Sequence, residues 1–203
     1  MYGISKETKA DNSGGGFTGI QEGFDLLSIT FGGTNKEGGG AEGLMFNFKR
    51  GEKFDFVARV YPINEAQVTP RKTTDKKTKV VTEETKAEAI ARAYAEQASY
   101  VKHILTKFMP EVDVIIPNVS SFEAYAKAVI ALAGTKYTGQ KFRLKIVYNK
   151  KGYIGFPLFP DFIENMITPI EKSKLKIVTP AQGGYDLIEK PVADADTAQV
   201  TEF

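Results

Sequence analysis

Residues 44–61, LMFNFKRGEKFDFVARVY, alternate between apolar and polar side chains, and this alternation constrains the fold more than any other feature of the sequence. Successive side chains of a β-strand point to opposite faces, so a period of two predicts strands that bury one face. One face then holds Phe54, Phe56, Ala58 and Val60, whereas Val57, Arg59 and Tyr61 lie on the other. The segment therefore predicts a β-hairpin with its turn near the centre.

The rest of the chain predicts one strand before this hairpin, two helices after it, and further strands near the end. Thr85 with Glu88 and Ser120 with Glu123 have the capping-box spacing that marks a helix start. The predicted elements are a strand at 24–31, helices at 85–110 and 120–134, a second hairpin at 141–159 and a last strand at 175–178.

This order is that of the OB-fold, a five-stranded barrel that binds oligonucleotides and oligosaccharides. The sequence therefore predicts a mainly β fold with inserted helices (α+β). More specifically, it predicts an OB-fold-like five-stranded Greek-key barrel with the helices between strands three and four. A different α+β sheet satisfies the same order of elements.

The length of 203 residues is enough for one domain with extensions. Residues 1–23 are rich in Gly, Ser, Lys and Thr, which predicts a flexible lead-in to an OB-like domain at 24–180. From Pro191 onward the chain has three acidic residues and no Lys or Arg. Residues 181–203 are therefore predicted to form an acidic flexible tail, and the body that precedes it is modestly basic.

The second predicted hairpin, KFRLKIVYNKKGYIGFPLF, combines five cationic side chains with as many aromatic ones. Single-stranded nucleic acid needs this mixture, because phosphates attract cations and unpaired bases stack on rings. Arg143 and Lys145 alternate with the apolar residues of the first strand, so we expect them to be free to line a groove. The residues predicted to contact nucleic acid, here and elsewhere in the chain, are Arg59, Tyr61, Arg71, Lys72, Arg143, Lys145, Lys150, Lys151, Tyr153 and Phe156.

Some of these assignments have structural alternatives. The stretch KGYIGF comes close to the aromatic strand motif with which RRM domains stack bases. Ile154 is one residue too many, however, and puts Tyr153 and Phe156 on opposite faces unless a bulge at Gly155 restores the alignment. Phe156 is otherwise a core residue. The basic segment at 69–79 is either a phosphate-contacting arm or a solvated loop.

Catalytic function is not predicted, because the chain has no Cys and its single His, His103, lies within a predicted helix. No cofactor or metal is expected either, since the Gly-rich stretch at 32–43 lacks the Gly-Lys-Ser/Thr of a P-loop. No apolar run is long enough to span a membrane. Charged residues near the start of the chain argue against a signal peptide, so a cytoplasmic location is expected.

The end of the chain, EKPVADADTAQVTEF, places acidic residues before a terminal aromatic ring. It resembles the C-terminal tip of the single-stranded DNA-binding proteins of bacteria and phages. With the basic and aromatic hairpin and the strand order, the chain looks like a phage-type member of that class. The resemblance implies a protein that coats single-stranded DNA with little sequence preference in the host cytoplasm. It also implies recruitment of replication or recombination enzymes by Asp194, Asp196, Glu202 and Phe203.

The alternative is a phage virion or assembly protein that binds no nucleic acid. In that case the sheet and the long helix form contacts with other proteins. The basic segment at 69–79 is then only part of the exposed surface, and the Gly-rich segments are flexible joints.

Overall fold

The computed structural model describes residues 18–33, 41–75, 77–157 and 161–191. Over these residues the chain forms eight β-strands and two α-helices. In chain order they are β1 Gly19–Gly33, β2 Glu42–Arg50, β3 Phe54–Val60, β4 Lys72–Thr74, β5 Val81–Glu83, α1 Lys86–Leu105, α2 Phe122–Ala133, β6 Lys141–Tyr148, β7 Ile154–Gly155 and β8 Ile163–Asn165.

The main sheet has the strand order β3-β2-β1-β6-β7, with β8 paired to β6, and β4 and β5 form a separate ribbon. The pairings of β2 with β1 and β3, of β6 with β7 and β8, and of β4 with β5 are antiparallel. The described part of the chain is thus mainly β with two helices, which is compatible with the OB-like barrel that the sequence predicts.

The chain divides into two compact units, and β1 contributes to both. The first unit contains the described residues up to Phe24 and from Phe142 onward, and the second contains Asp25–Lys141.

In the second unit, β1, β2 and β3 bury one face, as the alternating pattern predicts. Phe46 lies opposite Ala58 and Phe48 opposite Phe56, and all four side chains are buried. The register of β1 on β2 shifts between Leu26 and Ser28. The shift leaves Leu27 exposed, while Leu26 and Ile29 are both buried, as expected for a β-bulge.

Helix α1 begins with the predicted capping box, in which the Glu88 N–H donates to the Thr85 hydroxyl and the Thr85 N–H donates to the Glu88 carboxylate. The predicted box at Ser120 and Glu123 is wrong by one residue. Ser121 caps α2 by accepting a hydrogen bond from the Ala124 N–H at 3.1 Å. Helix α2 ends at Gly134, as predicted, where the backbone φ of 50° favours glycine.

The basic segment at 69–79 contains a short strand as well as the loop that its polar composition suggests. Lys72 pairs with Glu83 and Thr74 with Val81, so β4 and β5 form a two-stranded antiparallel ribbon. All six strand residues are exposed. We call residues 71–84 the arm.

In the first unit, β6 is buried on both faces from Phe142 to Tyr148. One flanking strand is β8, which pairs Arg143 with Glu164. The predicted last strand at 175–178 is wrong, since that segment forms no strand, although Leu175 is buried.

The boundaries predicted for the OB-like domain both differ from the structure. Strand β1 begins at Gly19, before the predicted start at residue 24. The predicted tail boundary at 181 lies too early, because the Tyr148 N–H donates to the Leu187 carbonyl at 2.7 Å and Asp186 is buried.

Residues 1–17 and 192–203 lie outside the described residues, together with the tail residues Asp194, Asp196, Glu202 and Phe203. Among the described helices, none combines the length and the apolar character needed to cross a membrane.

Candidate nucleic-acid interface

Arg143 and Lys145 are not free to line a groove, so that expectation is wrong. Arg143 is 3% exposed and Lys145 is 8% exposed. The Arg143 Nε lies 2.6 Å from Glu22 Oε1, and its Nη1 lies 2.7 Å from Glu164 Oε2. A buried charge needs such partners, because removal from water is costly. Arg143 is therefore part of the interior of the first unit.

Glu164 is held ionised in this cluster. Burial alone raises the pKa of Glu164, but hydrogen bonds from the Ser173 side chain, the Lys174 N–H and Arg143 outweigh it, so the pKa lies below its ordinary value. A lowered carboxyl pKa stabilises the fold above the pKa of the unfolded chain. This contribution is lost as the pH falls through the lowered value.

Lys145 has a second structural role, because its partner is distant in the sequence. The Lys145 Nζ lies 2.6 Å from Asp186 Oδ2, and both side chains are buried. The same carboxylate oxygen accepts a hydrogen bond from the Val178 N–H at 2.7 Å. Lys145 therefore fixes the 178–186 segment to β6 instead of facing solvent.

The turn between β6 and β7 carries two exposed lysines, Lys150 and Lys151, followed by Tyr153, which is 68% exposed. Neither lysine has an ion pair with any residue that the structure describes. Asn149 organises the turn, since its Oδ1 accepts hydrogen bonds from the N–H groups of Lys151 at 2.9 Å and Tyr153 at 3.0 Å. Gly152 has a φ of 77°, which the turn requires. The tyrosine ring is thus presented to solvent from an ordered backbone.

Phe156 occupies a different environment from Tyr153. It is half-buried, and its ring stacks on that of Phe162 with centroids 4.6 Å apart. The ladder of β6 with β7 runs regularly from Ile154 to Gly155, without the bulge that would align the two rings. The packing favours the core alternative for Phe156.

In the second unit, the predicted cation and ring on β3 and just after it are both exposed. Arg59 donates to the carbonyl of Val57 at 3.4 Å, and the Tyr61 carbonyl accepts from Gln97 Nε2 at 2.6 Å. The backbone after β3 is therefore tied to α1, and the Tyr61 ring stays accessible.

The two cations predicted on the arm are held in ion pairs. Arg71 lies 2.9 Å from Glu96, and Lys72 lies 3.2 Å from Glu83. Lys77 and Lys79 at the tip were not among the predicted contacts, but both are exposed and have no ion pair among the described residues. Among the arm residues that the structure describes, the lysines without an ion pair thus lie at the tip, and the two paired cations lie at the base.

Of the predicted residues, the structure brings Lys150, Lys151 and Tyr153 together on one exposed turn of the first unit. We call these three residues the β6–β7 turn surface. Arg59, Tyr61 and the arm belong to the second unit. Comparison of the chain with protein-family models, with curated proteins and with solved structures finds no match.

Proposed function

We propose that the protein is a non-catalytic single-stranded DNA-binding protein with little sequence preference, and that the β6–β7 turn surface is a principal contact. The observation that supports the proposal is an ordered turn that presents a largely exposed tyrosine ring beside two lysines without ion pairs. Recruitment of replication or recombination enzymes by the C-terminal residues belongs to the same proposal.

The chemistry of this surface suits unpaired nucleotides. A base that is not paired can place its face on the Tyr153 ring, and such stacking contributes about 1–3 kcal/mol per base. The lysine ammonium groups meet the neighbouring phosphates and release their counterions. Duplex DNA keeps its base faces inside the helix, so it offers only phosphates to the same surface.

Replacement of Tyr153 tests the proposal. We expect Tyr153→Ala to weaken binding of a labelled oligo-dT by about 5- to 150-fold, because one stacking contact is lost. The side chain is mostly exposed, so the urea unfolding midpoint should change little. Fluorescence anisotropy at fixed salt gives the affinity, and circular dichroism gives the unfolding curve.

Tyr94→Ala is the matched control for this variant. Tyr94 lies on α1, is 47% exposed and donates a hydrogen bond to Glu65 at 2.9 Å. We expect its removal to leave oligo-dT affinity unchanged. Equal affinities for Tyr153→Ala and the wild-type protein would contradict the stacking role.

Assembly through protein contacts is the second candidate function. A groove of about 660 Å³ on the second unit favours it, with the α1 residues Val101 and Leu105 and the loop residues Val114 and Ile116 among its lining. Beside it, the side chains of Val112 and Ile115 are exposed. An assembly protein should self-associate in sedimentation experiments and show no affinity for oligo-dT, whereas the first proposal requires that affinity.

A further inference from the structure

The 178–186 segment of the first unit presents a second exposed ring, on Tyr185, which is 74% exposed. The sequence pattern assigns this residue to a flexible tail, but the structure gives it a defined backbone. The Asp186 N–H donates to the Val178 carbonyl at 3.1 Å, and the Gly184 N–H donates to the Thr179 carbonyl at 2.9 Å. Together with the Val178 N–H bond to the Asp186 carboxylate, these contacts close a tight loop immediately before and after the ring.

This loop is fixed to β6 on the side opposite β7. The buried Lys145–Asp186 ion pair joins the strand to the residue after Tyr185. Tyr148 forms a β-bridge with Leu187. Gly184 lies so close to Val178 that a Cβ atom at this position would clash with the Val178 carbonyl oxygen. A larger residue would force the loop to move.

The pairing of β6 places each exposed tyrosine within two residues of a partner of Tyr148. Tyr148 is paired with Ile154 on one side and bridged to Leu187 on the other, both antiparallel. Neighbouring strands lie about 4.8 Å apart, so the backbone at Ile154 and the backbone at Leu187 are separated by about 10 Å. Tyr153 directly precedes Ile154 and Tyr185 lies two residues before Leu187, so the two rings lie on the two segments that flank Tyr148.

A third cation lies against the same turn. The Cε atom of Lys190 lies 3.3 Å from the position that a Cβ would take at Gly152. Lys190 is exposed and has no ion pair among the residues described for either unit. The two segments that flank Tyr148 therefore carry three lysines and two exposed tyrosine rings, and all five residues belong to the first unit.

We propose that Tyr185 and Lys190 complete the single-stranded DNA contact, so that bases stack on a tyrosine on each side of β6 while the three lysines meet the phosphates between them. This inference rests on the proposed function. Lys145 is then a positioning residue. Its ion pair with Asp186 holds the loop that presents Tyr185, and Lys145 itself does not touch the DNA.

Two substitutions of Tyr185 test this inference. We expect Tyr185→Ala to weaken oligo-dT binding by about 5- to 150-fold, which corresponds to one lost stacking contact. Because the chain has no Trp, Tyr185→Trp introduces a single fluorophore at the proposed contact. Its emission should be quenched when oligo-dT is added, and its affinity should stay within a few-fold of wild type because an aromatic ring is retained. Tyr94→Trp on α1 is the matched control and should show no quenching.

The outcomes separate this inference from the proposed function. If Tyr185→Ala binds as tightly as wild type and Tyr185→Trp is not quenched, while Tyr153→Ala is weakened, the second contact is wrong and the proposed function stands. If neither tyrosine variant is weakened, both proposals are wrong. Unchanged urea unfolding of Tyr185→Ala confirms that a loss of affinity arises at the contact and not from unfolding.

Discussion

Arg143→Met is expected to lower the free energy of unfolding by about 3–5 kcal/mol, because it removes a buried guanidinium and leaves the mostly buried carboxylate of Glu164 without its charged partner. The side chain of Glu164 is only 12% exposed and lies 2.7 Å from Arg143 Nη1. Met fills a similar length without supplying charge or hydrogen-bond donors. Urea unfolding followed by circular dichroism at neutral pH measures the change.

Two companion variants show where such a loss originates. Lys141→Met removes an ion pair from the same strand, but the Lys141–Asp25 pair is exposed, so a change of no more than about 1 kcal/mol is expected. The double variant Arg143→Met/Glu164→Leu should recover much of the stability, since no unpaired buried charge remains. A single variant as stable as wild type would mean that Arg143 faces solvent, as the alternating pattern alone suggests.

Phe142→Ala is expected to destabilise the fold by about 3–5 kcal/mol, because a fully buried ring is replaced by a cavity. Phe54→Ala is its matched control, since Phe54 is also a strand phenylalanine but is exposed at the start of β3, with the Arg50 guanidinium 4.6 Å from its ring centre. The control should cost about 1 kcal/mol or less. The two variants should therefore differ clearly in urea unfolding midpoint.

If Phe142→Ala unfolds at the same urea concentration as wild type, the packing of β6 is wrong. A loss of oligo-dT affinity by the folded fraction of this variant would also contradict the account, since the residue is assigned to the core and not to the interface.

The hairpin of β2 and β3 and the start of α1 could be predicted from sequence because their signals are local. Alternation fixes which of Phe46, Phe48 and Phe56 share a face, and Thr85 with Glu88 caps α1 through adjacent backbone groups. In each case the residues that decide the structure lie within one element or one turn, where periodicity and capping chemistry act.

The environment of β6 could not be predicted in the same way. Charged residues that alternate with apolar ones normally indicate a solvated face, but here both faces are covered. The acids that compensate Arg143 and Lys145 are Glu22, Glu164 and Asp186, all distant in the sequence. No local sequence pattern predicts which distant carboxylate will form an ion pair with a given cation.

Tyr185 was beyond prediction for a related reason. Its segment is polar and rich in Gly, as a flexible tail is, and its defined backbone depends on tertiary contacts such as those of Asp186 with Lys145 and Val178. The sequence signal that could have drawn attention to it is an aromatic residue directly after two glycines. A ring in that position is a candidate for an exposed contact.

A competition measurement on the full chain tests whether the protein prefers single-stranded to duplex DNA. Labelled oligo-dT is bound at low salt, and unlabelled oligo-dT or a duplex of equal length is added as competitor. We expect the unlabelled single strand to displace the label at a concentration at least tenfold lower than the duplex, because only unpaired bases can stack on the exposed rings. Absence of oligo-dT binding, or equal competition by the duplex, would contradict the account.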